Sequence, residues 1–171
     1  DLLKLWRTRD PKGYHVEYGY STMGYEIPAG LGVRLADPSR EVVVFIGDGS
    51  YLMMNSEIVT ARAYGLSFVV ILVENRGFQS IHGLQRSLGS PEFGNELRDA
   101  RGNPLAVDFP AHARALGAQV WEAWDREGLR RALEEAKGAG GVRVVVAHVD
   151  PEARTPSYGF WDVPVAEVSE F

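Results

Sequence analysis

Two glycine-bearing turns follow the two most apolar segments of the chain, and their residue types suit phosphate and metal binding. Residues 47–50 read Gly-Asp-Gly-Ser, and residues 75–77 read Asn-Arg-Gly. Glycines lack side chains, so the backbone can approach an anion closely. A helix that starts near Ser50 would direct free N–H groups at the same anion. The negative charge of Asp48 would repel phosphate unless a cation lies between the two.

A divalent cation resolves this conflict. Magnesium takes about six oxygens in octahedral geometry, commonly from one or two carboxylates, phosphates and water. We therefore predict the Asp48 carboxylate, the Asn75 side-chain oxygen and the backbone carbonyl of Gly77 as its protein ligands. Either turn alone is common at strand ends for backbone reasons. The prediction depends on the pair, because each turn follows a buried strand and a helix separates them.

The elements that must position these turns alternate between strand and helix patterns. This alternation predicts an α/β fold, a three-layer α/β/α sandwich with a mainly parallel sheet. In such sheets ligands bind at the carboxyl ends of the strands. Residues 76–108 have no regular pattern, and we expect a long functional loop there. Pro28 indicates a kink or a late start of its helix. The predicted strands are 42–46, 68–73, 119–123 and 142–149, and the predicted helices 23–36, 51–64, 109–116 and 127–137.

Composition excludes several classes of function. The net charge of -5 disfavours nucleic-acid binding, and no apolar run is long enough to cross a bilayer. The chain has no cysteine, which excludes disulfides and thiolate metal sites and fits a cytoplasmic location. Its 171 residues suit one domain, with an extended tail over residues 151–171. Because it begins with Asp1 rather than methionine, we expect the C-terminal fragment of a longer enzyme.

The Gly-Asp-Gly-Ser turn with its downstream Asn resembles the thiamine-diphosphate (ThDP) motif of the pyruvate oxidase and acetolactate synthase superfamily. The resemblance implies the ThDP-binding fold and the cofactors ThDP and Mg²⁺. It gives Asp48, Asn75 and the Gly77 carbonyl to the metal, and residues 47–50 to the diphosphate. Within that turn, Gly47, Gly49 and Ser50 are the expected cofactor contacts. The family's usual second Asn is Arg76 here.

Residues 21–30 resemble the family segment that lies under the thiazolium ring. The resemblance implies that Met23 is the bulky side chain that bends the cofactor, and that the Ser21 carbonyl holds its 4′-amino group. The alternative for Met23 is a core methionine, the common fate of a single methionine.

Residues 5–27, 47–60 and 160–170 together resemble the trihydroxycyclohexane-dione hydrolases of inositol catabolism. That resemblance implies ThDP- and Mg²⁺-dependent cleavage of a C–C bond in a cyclic 1,2-dione. Two alternatives remain open: an acetolactate-synthase-like carboligase acting on 2-oxo acids, and a ThDP-binding module that is inactive alone. A nucleotide-binding Rossmann domain is disfavoured because no Gly-x-Gly-x-x-Gly turn follows the first strand.

Four further residues are candidates for substrate contacts. His15, Phe78, Gln79 and His82 lie near the two motif regions, although a surface position on a loop is the commoner interpretation of His82. We interpret His112 and His148 as structural. No pair of carboxylates in this chain indicates acid–base work, and the activating glutamate that the family resemblance implies is therefore expected outside this chain. The family resemblance implies that a pyrimidine-binding domain of the same or another subunit supplies it, in a homodimer or homotetramer.

Overall fold

A computed structural model describes residues 2–17 and 20–153, which belong to two compact units. Among the described residues, the first unit contains residues 2–16 and 152–153, including helix α1 (Leu2–Leu5). The second unit, Glu17–Pro151, carries the sheet. All but the first residues of the expected tail 151–171 lie outside the described residues. Within the described ranges, no helix is long and apolar enough to cross a membrane.

The second unit is built on a four-stranded sheet in which all neighbouring strands are parallel. The strands are β1 (Val43–Gly47), β2 (Phe68–Glu74), β3 (Gln119–Ala123) and β4 (Val142–His148). Their order is β1-β2-β4-β3. The predicted parallel sheet is confirmed, and each strand boundary lies within one residue of its predicted position.

Six helices of this unit flank the sheet or follow its strands. They are α2 (Glu26–Ala36), α3 (Asp48–Met54), α4 (Glu57–Ala63), α5 (Gln79–Ser87), α6 (Phe109–Ala115) and α7 (Arg126–Lys137). Helices α2, α3, α4 and α6 contribute to the larger core on one face of the sheet, and α7 packs on the other. The predicted α/β/α sandwich is confirmed.

The central strands supply most of the core. Strands β2 and β4 are buried along nearly their whole length, with Val144, Val145 and Val146 all fully buried. Such continuous β-branched runs suit strands that are covered on both faces. In β1 burial alternates, because Val44 and Ile46 face the larger core while the intervening side chains are exposed. The sheet thus holds the ends of β1 and β2 rigidly together.

Two predicted helices differ from the observed ones. The helix predicted from residue 23 begins at Glu26, so Pro28 lies in the first turn, where its missing N–H costs no hydrogen bond. The single helix predicted over 51–64 is two helices: α3 ends just before Asn55, and α4 begins two residues after it. The Asn55 side chain donates to the carbonyl of Tyr51 at 3.1 Å and so satisfies a group that the helix end leaves free.

The segment 76–108 was predicted to be irregular, and this is wrong for its first part. Helix α5 (Gln79–Ser87) occupies it and begins two residues after Gly77. The helix has few apolar positions and contains Gly83, a poor helix former, so its sequence has only a weak helical signal. Its N-terminal turn is therefore fixed beside the second motif instead of moving with a loop.

Candidate functional site

The two predicted turns meet at the carboxyl edge of the sheet. Strands β1 and β2 are hydrogen-bonded neighbours, and Gly47 at the end of β1 lies opposite Val73 of β2. Asp48 follows as the first residue of α3, and Asn75 follows the last residue of β2. Asp48 is 0% exposed. A buried carboxylate at this position must be compensated by its surroundings.

Backbone N–H groups of both turns provide that compensation. Oδ1 of Asp48 accepts from Gly49 N at 2.7 Å and Gly77 N at 3.0 Å. Oδ2 accepts from Arg76 N at 2.7 Å and Asn75 N at 3.0 Å. Burial raises the pKa of the Asp48 carboxyl, and these hydrogen bonds oppose the rise. The carboxylate is thereby fixed in one orientation and joins the two turns.

The side-chain amide of Asn75 converges on the same point. One terminal atom of this amide lies 3.1 Å from Asp48 Oδ1 and also 3.1 Å from the Gly77 carbonyl oxygen. With the amide nitrogen turned inward, Asn75 donates to both oxygens. With its oxygen turned inward, this oxygen lies 3.1 Å from the carboxylate oxygen and 3.1 Å from the carbonyl oxygen. Adjacent ligands of an octahedral Mg²⁺ are about 3 Å apart, because bonds of about 2.1 Å meet at right angles. The three groups therefore fit one ion.

This convergence depends on unusual backbone at the second turn. Arg76 has φ 68°, the left-handed region that non-glycine residues rarely adopt. Gly77 has φ 130°, and a Cβ there would lie 2.4 Å from the Asn95 carbonyl oxygen. At the first turn, a Cβ on Gly49 would lie 2.6 Å from the Phe78 ring. Glycines at 49 and 77 are needed for close packing around the site.

The expected substrate residues of α5 are held close to these turns. The Phe78 ring lies against Gly49, and Gln79 is buried at the start of the helix. His82 is only 3% exposed, so its interpretation as a surface loop residue is wrong. Its Nε2 lies 3.0 Å from Glu92 Oε1. The prediction failed because the sequence did not reveal helix α5, which holds His82 in a buried position.

Three predicted residues, Ser21, Met23 and His15, precede both turns in the sequence. Ser21 and Met23 precede α2, where the neighbouring Gly24 packs against the C-terminal end of α3 at Met53 and Met54. His15 belongs to the first compact unit, so the described coordinates do not place it at this site. Within the described residues, no group of three or more His, Cys, Asp or Glu side chains could hold a metal. The candidate ligand set around Asp48 relies on one carboxylate.

A second polar cluster lies at the same edge of the sheet and was not predicted. His148, at the end of β4, contacts Oε2 of Glu74 through Nδ1 and lies 3.2 Å from Oε2 of Glu122 through Nε2. Trp124 stacks on its ring at a centroid distance of 3.6 Å. The sequence indicated no carboxylate pair, yet folding brings Glu74 and Glu122 to one histidine. Their common signal in the sequence is a position at or near the end of a predicted strand.

Comparison with known families matches residues 1–147 to the thiamine pyrophosphate enzymes, as their C-terminal TPP binding domain. The chain belongs to this family. The fold of the TPP-binding domain also resembles a thiamine diphosphate-dependent 4-hydroxybenzoylformate decarboxylase from Rhodococcus jostii RHA1, with a TM-score of 0.66 and 23% identity. That match covers 75% of this chain and 23% of the decarboxylase, and it supports the fold alone.

More similar relatives carry one name, 3D-(3,5/4)-trihydroxycyclohexane-1,2-dione hydrolase. The proteins from Bacillus licheniformis and from Bacillus subtilis strain 168 are each 43% identical to the chain. In both cases the alignment covers 99% of this chain and 27% of the relative. The TPP-binding domain therefore spans about a quarter of the length of these hydrolases, and similarity extends over almost all of it.

Proposed function

We propose that this TPP-binding domain holds the diphosphate of ThDP through a Mg²⁺ ion bound by Asp48, Asn75 and the Gly77 carbonyl. We further propose that it does so as part of a longer enzyme that cleaves a ring C–C bond of trihydroxycyclohexane-1,2-dione. The observation that carries the cofactor site is that one terminal atom of the Asn75 amide lies 3.1 Å from both Asp48 Oδ1 and the Gly77 carbonyl oxygen. The name shared by the relatives supports the substrate.

Each residue of the site has a separate role in this proposal. Asp48 supplies the negative charge, and its four backbone hydrogen bonds hold it ready for the ion. Asn75 would turn its amide oxygen toward the cation and bind it, in place of donating hydrogen bonds to Asp48 Oδ1 and the Gly77 carbonyl oxygen. Gly47 has open space where a side chain would lie and so would leave room for the diphosphate, and Ser50, in the first turn of α3, would offer its backbone N–H to it; Gly49 lies between these two expected contacts. Bound ThDP supplies the carbanion chemistry that breaks a C–C bond beside a carbonyl.

Other parts of the proposal concern residues beside the metal turn. Met23 would support the bent cofactor, the Ser21 carbonyl would accept from its amino group, and Phe78, Gln79 and His82, together with His15, would contact substrate. The activating glutamate would come from a pyrimidine-binding domain of the same or another subunit. We infer a homodimer or homotetramer and a cytoplasmic location for the parent enzyme.

Calorimetry of ThDP binding, with and without Mg²⁺, tests the cofactor site. We expect binding to require Mg²⁺ and to weaken at least about tenfold in Asn75→Ala, because one ligand is lost. Asn103→Ala is the matched control, since Asn103 is exposed and its side chain bonds only to Asp99 among the described residues. Binding that is independent of Mg²⁺, or equal in both variants, would refute the proposed metal ligands.

Assays of the full-length parent test the substrate. We expect turnover of the cyclic trihydroxy dione and none of pyruvate, with Asn75→Ala reducing the rate at fixed ThDP. Turnover of pyruvate without turnover of the dione would favour the acetolactate-synthase-like alternative and overturn the proposal. The 171-residue chain alone should show no turnover, since the activating glutamate is expected elsewhere.

A further inference from the structure

Residues 95–97 run antiparallel to the turn 75–77 and are hydrogen-bonded to it. Helix α5 and an exposed loop lie between the two segments in the sequence. We propose that Gln85 of α5 holds residues 95–97 against the turn and thereby orients the Gly77 carbonyl toward Mg²⁺. Gln85 is a positioning residue of the cofactor site in this view. Its role rests on the proposed function, in which the Gly77 carbonyl is a metal ligand.

The direction of the Gly77 carbonyl follows from a hydrogen bond of the next residue. The Gly77 C=O and the Phe78 N–H belong to one peptide group, and in a planar trans peptide they point in opposite directions. The Phe78 N–H donates to the Asn95 carbonyl at 2.7 Å. The Gly77 carbonyl therefore points away from Asn95, and its oxygen lies 3.1 Å from the Asn75 side-chain amide. A shift of Asn95 would turn the proposed ligand.

The turn 75–77 needs support from its surroundings. Arg76 has φ 68°, and a non-glycine residue keeps such a conformation only where neighbouring groups fix it. Asp48 binds the N–H groups of the turn, while the Leu97 N–H donates to the Arg76 carbonyl at 3.1 Å. The hydrogen bonds from residues 95–97 use no proposed metal ligand, so they can persist when the ion binds.

One side-chain oxygen joins α5 to residues 93–95. Oε1 of Gln85 accepts from Asn95 Nδ2 at 2.6 Å and from the Phe93 N–H at 3.2 Å. Gly94, between the two donors, has φ 67°, so the chain bends around this single acceptor. Among the described residues, the Gln85 amide nitrogen has no hydrogen-bond partner. The role therefore requires an acceptor at position 85 and does not require a donor.

His82 adds a contact from the same face of α5, because residues three apart in a helix are neighbours. Nε2 of the buried His82 lies 3.0 Å from Oε1 of Glu92. Glu92 is exposed and precedes the paired residues, whereas Asn95 is half-buried and bonds directly to the turn. Gln85 is therefore the side chain of α5 that controls the position of Asn95.

Loss of the Gln85 acceptor should affect metal binding more than folding. Phe93 is 85% exposed and Asn95 is half-buried, so water can take the place of the acceptor for both donors. Asn95 is then less firmly held, and the Gly77 carbonyl is no longer oriented before the ion arrives. Groups that orient metal ligands commonly change metal affinity by about 10–100-fold when they are removed.

The Mg²⁺ concentration for half-maximal ThDP binding, measured by calorimetry at fixed ThDP, tests this role. Gln85→Leu keeps the approximate size of the side chain but removes the acceptor, and we expect it to need about tenfold more Mg²⁺. Gln85→Glu keeps acceptor oxygens and should need the same concentration as wild type. Gln119→Leu is the matched control: it loses a 2.6 Å hydrogen bond to the Gly140 carbonyl at the amino end of β3 and should also behave as wild type.

Amide hydrogen exchange gives a readout that needs neither metal nor cofactor. The Phe78 N–H should exchange faster in Gln85→Leu than in wild type or Gln85→Glu, while the urea midpoint stays nearly unchanged. Faster exchange throughout the core strands with a lower urea midpoint would show a general loss of stability and overturn the positioning role.

Three other results would overturn the role of Gln85 alone: equal Mg²⁺ requirements in wild type and Gln85→Leu, an equally large defect in Gln85→Glu, or unchanged exchange at Phe78. Wild-type ThDP binding without Mg²⁺ would overturn the proposed metal site and this role with it. That failure is distinguishable because it is seen in the wild type, whatever the Gln85 variants do.

Discussion

Two polar regions share the carboxyl edge of the sheet, and they are built in opposite ways. The metal turn is made mostly of backbone: N–H groups from two short motifs bind one buried carboxylate, Asp48. The second polar cluster is made of side chains from three strands: Glu74 and Glu122 both contact His148 on a partly exposed surface. The metal turn therefore depends on one backbone conformation. The side chains of the second region can be replaced with little loss of fold stability.

The largest expected difference between the regions concerns loss of their carboxylates. Asp48→Ala would leave buried N–H groups of four residues without an acceptor, and each costs about 1–3 kcal/mol, so we expect the free energy of unfolding to fall by roughly 3 kcal/mol or more. Glu122→Ala removes a partly exposed partner and should cost less than about 1 kcal/mol. Urea unfolding of both variants gives the comparison.

Similar losses in the two variants would contradict this view of Asp48 as the structural link between the turns. Asp48→Asn sharpens the test, because it keeps the size of the side chain but replaces one acceptor oxygen with a donor. We expect it to lie between wild type and Asp48→Ala, since one amide oxygen still accepts from part of the N–H set.

A somewhat smaller effect is expected from the backbone of the metal turn. Gly77→Ala forces a side chain into a left-handed conformation and within 2.4 Å of a backbone oxygen that cannot move freely. We expect it to lower the free energy of unfolding by roughly 2 kcal/mol and to weaken ThDP binding. Gly32→Ala is the control: it lies inside α2 with open space around it and should stabilise by about 0.5–1 kcal/mol. A change of the same sign in the free energy of unfolding of both variants would refute the special role of the Gly77 backbone.

The same contrast explains what could be predicted from sequence. Asp48 and Asn75 follow apolar runs that pair as parallel neighbours, so local patterns were enough to bring them together. The cluster around His148 could not be found in this way, because it needs the strand order β1-β2-β4-β3, which places β4 between β2 and β3. Helix α5 was missed for a local reason, its sparse apolar residues, and burial of His82 was missed with it.

The smallest expected effect concerns a contact between α3, the helix that begins with Asp48, and α6. The hydroxyl of Tyr51, in the helix that starts at Asp48, lies 3.0 Å from Nδ1 of His112 in α6. Tyr51→Phe should lower the free energy of unfolding by about 1 kcal/mol near pH 8, whereas Tyr64→Phe, at an exposed site, should change it by less than about 0.5 kcal/mol.

Measurements at alkaline pH test the role of the Tyr51 hydroxyl most directly. Burial raises the pKa of Tyr51 from 10.0 to about 12, so in this range the unfolded chain releases the phenolic proton first. Stability from the buried neutral phenol is complete below pH 10 and is lost as the pH rises toward about 12. The advantage of wild type over Tyr51→Phe should therefore shrink across that interval in urea unfolding. An advantage that does not change with pH would mean that the phenol is not buried and that α3 and α6 are not joined through it.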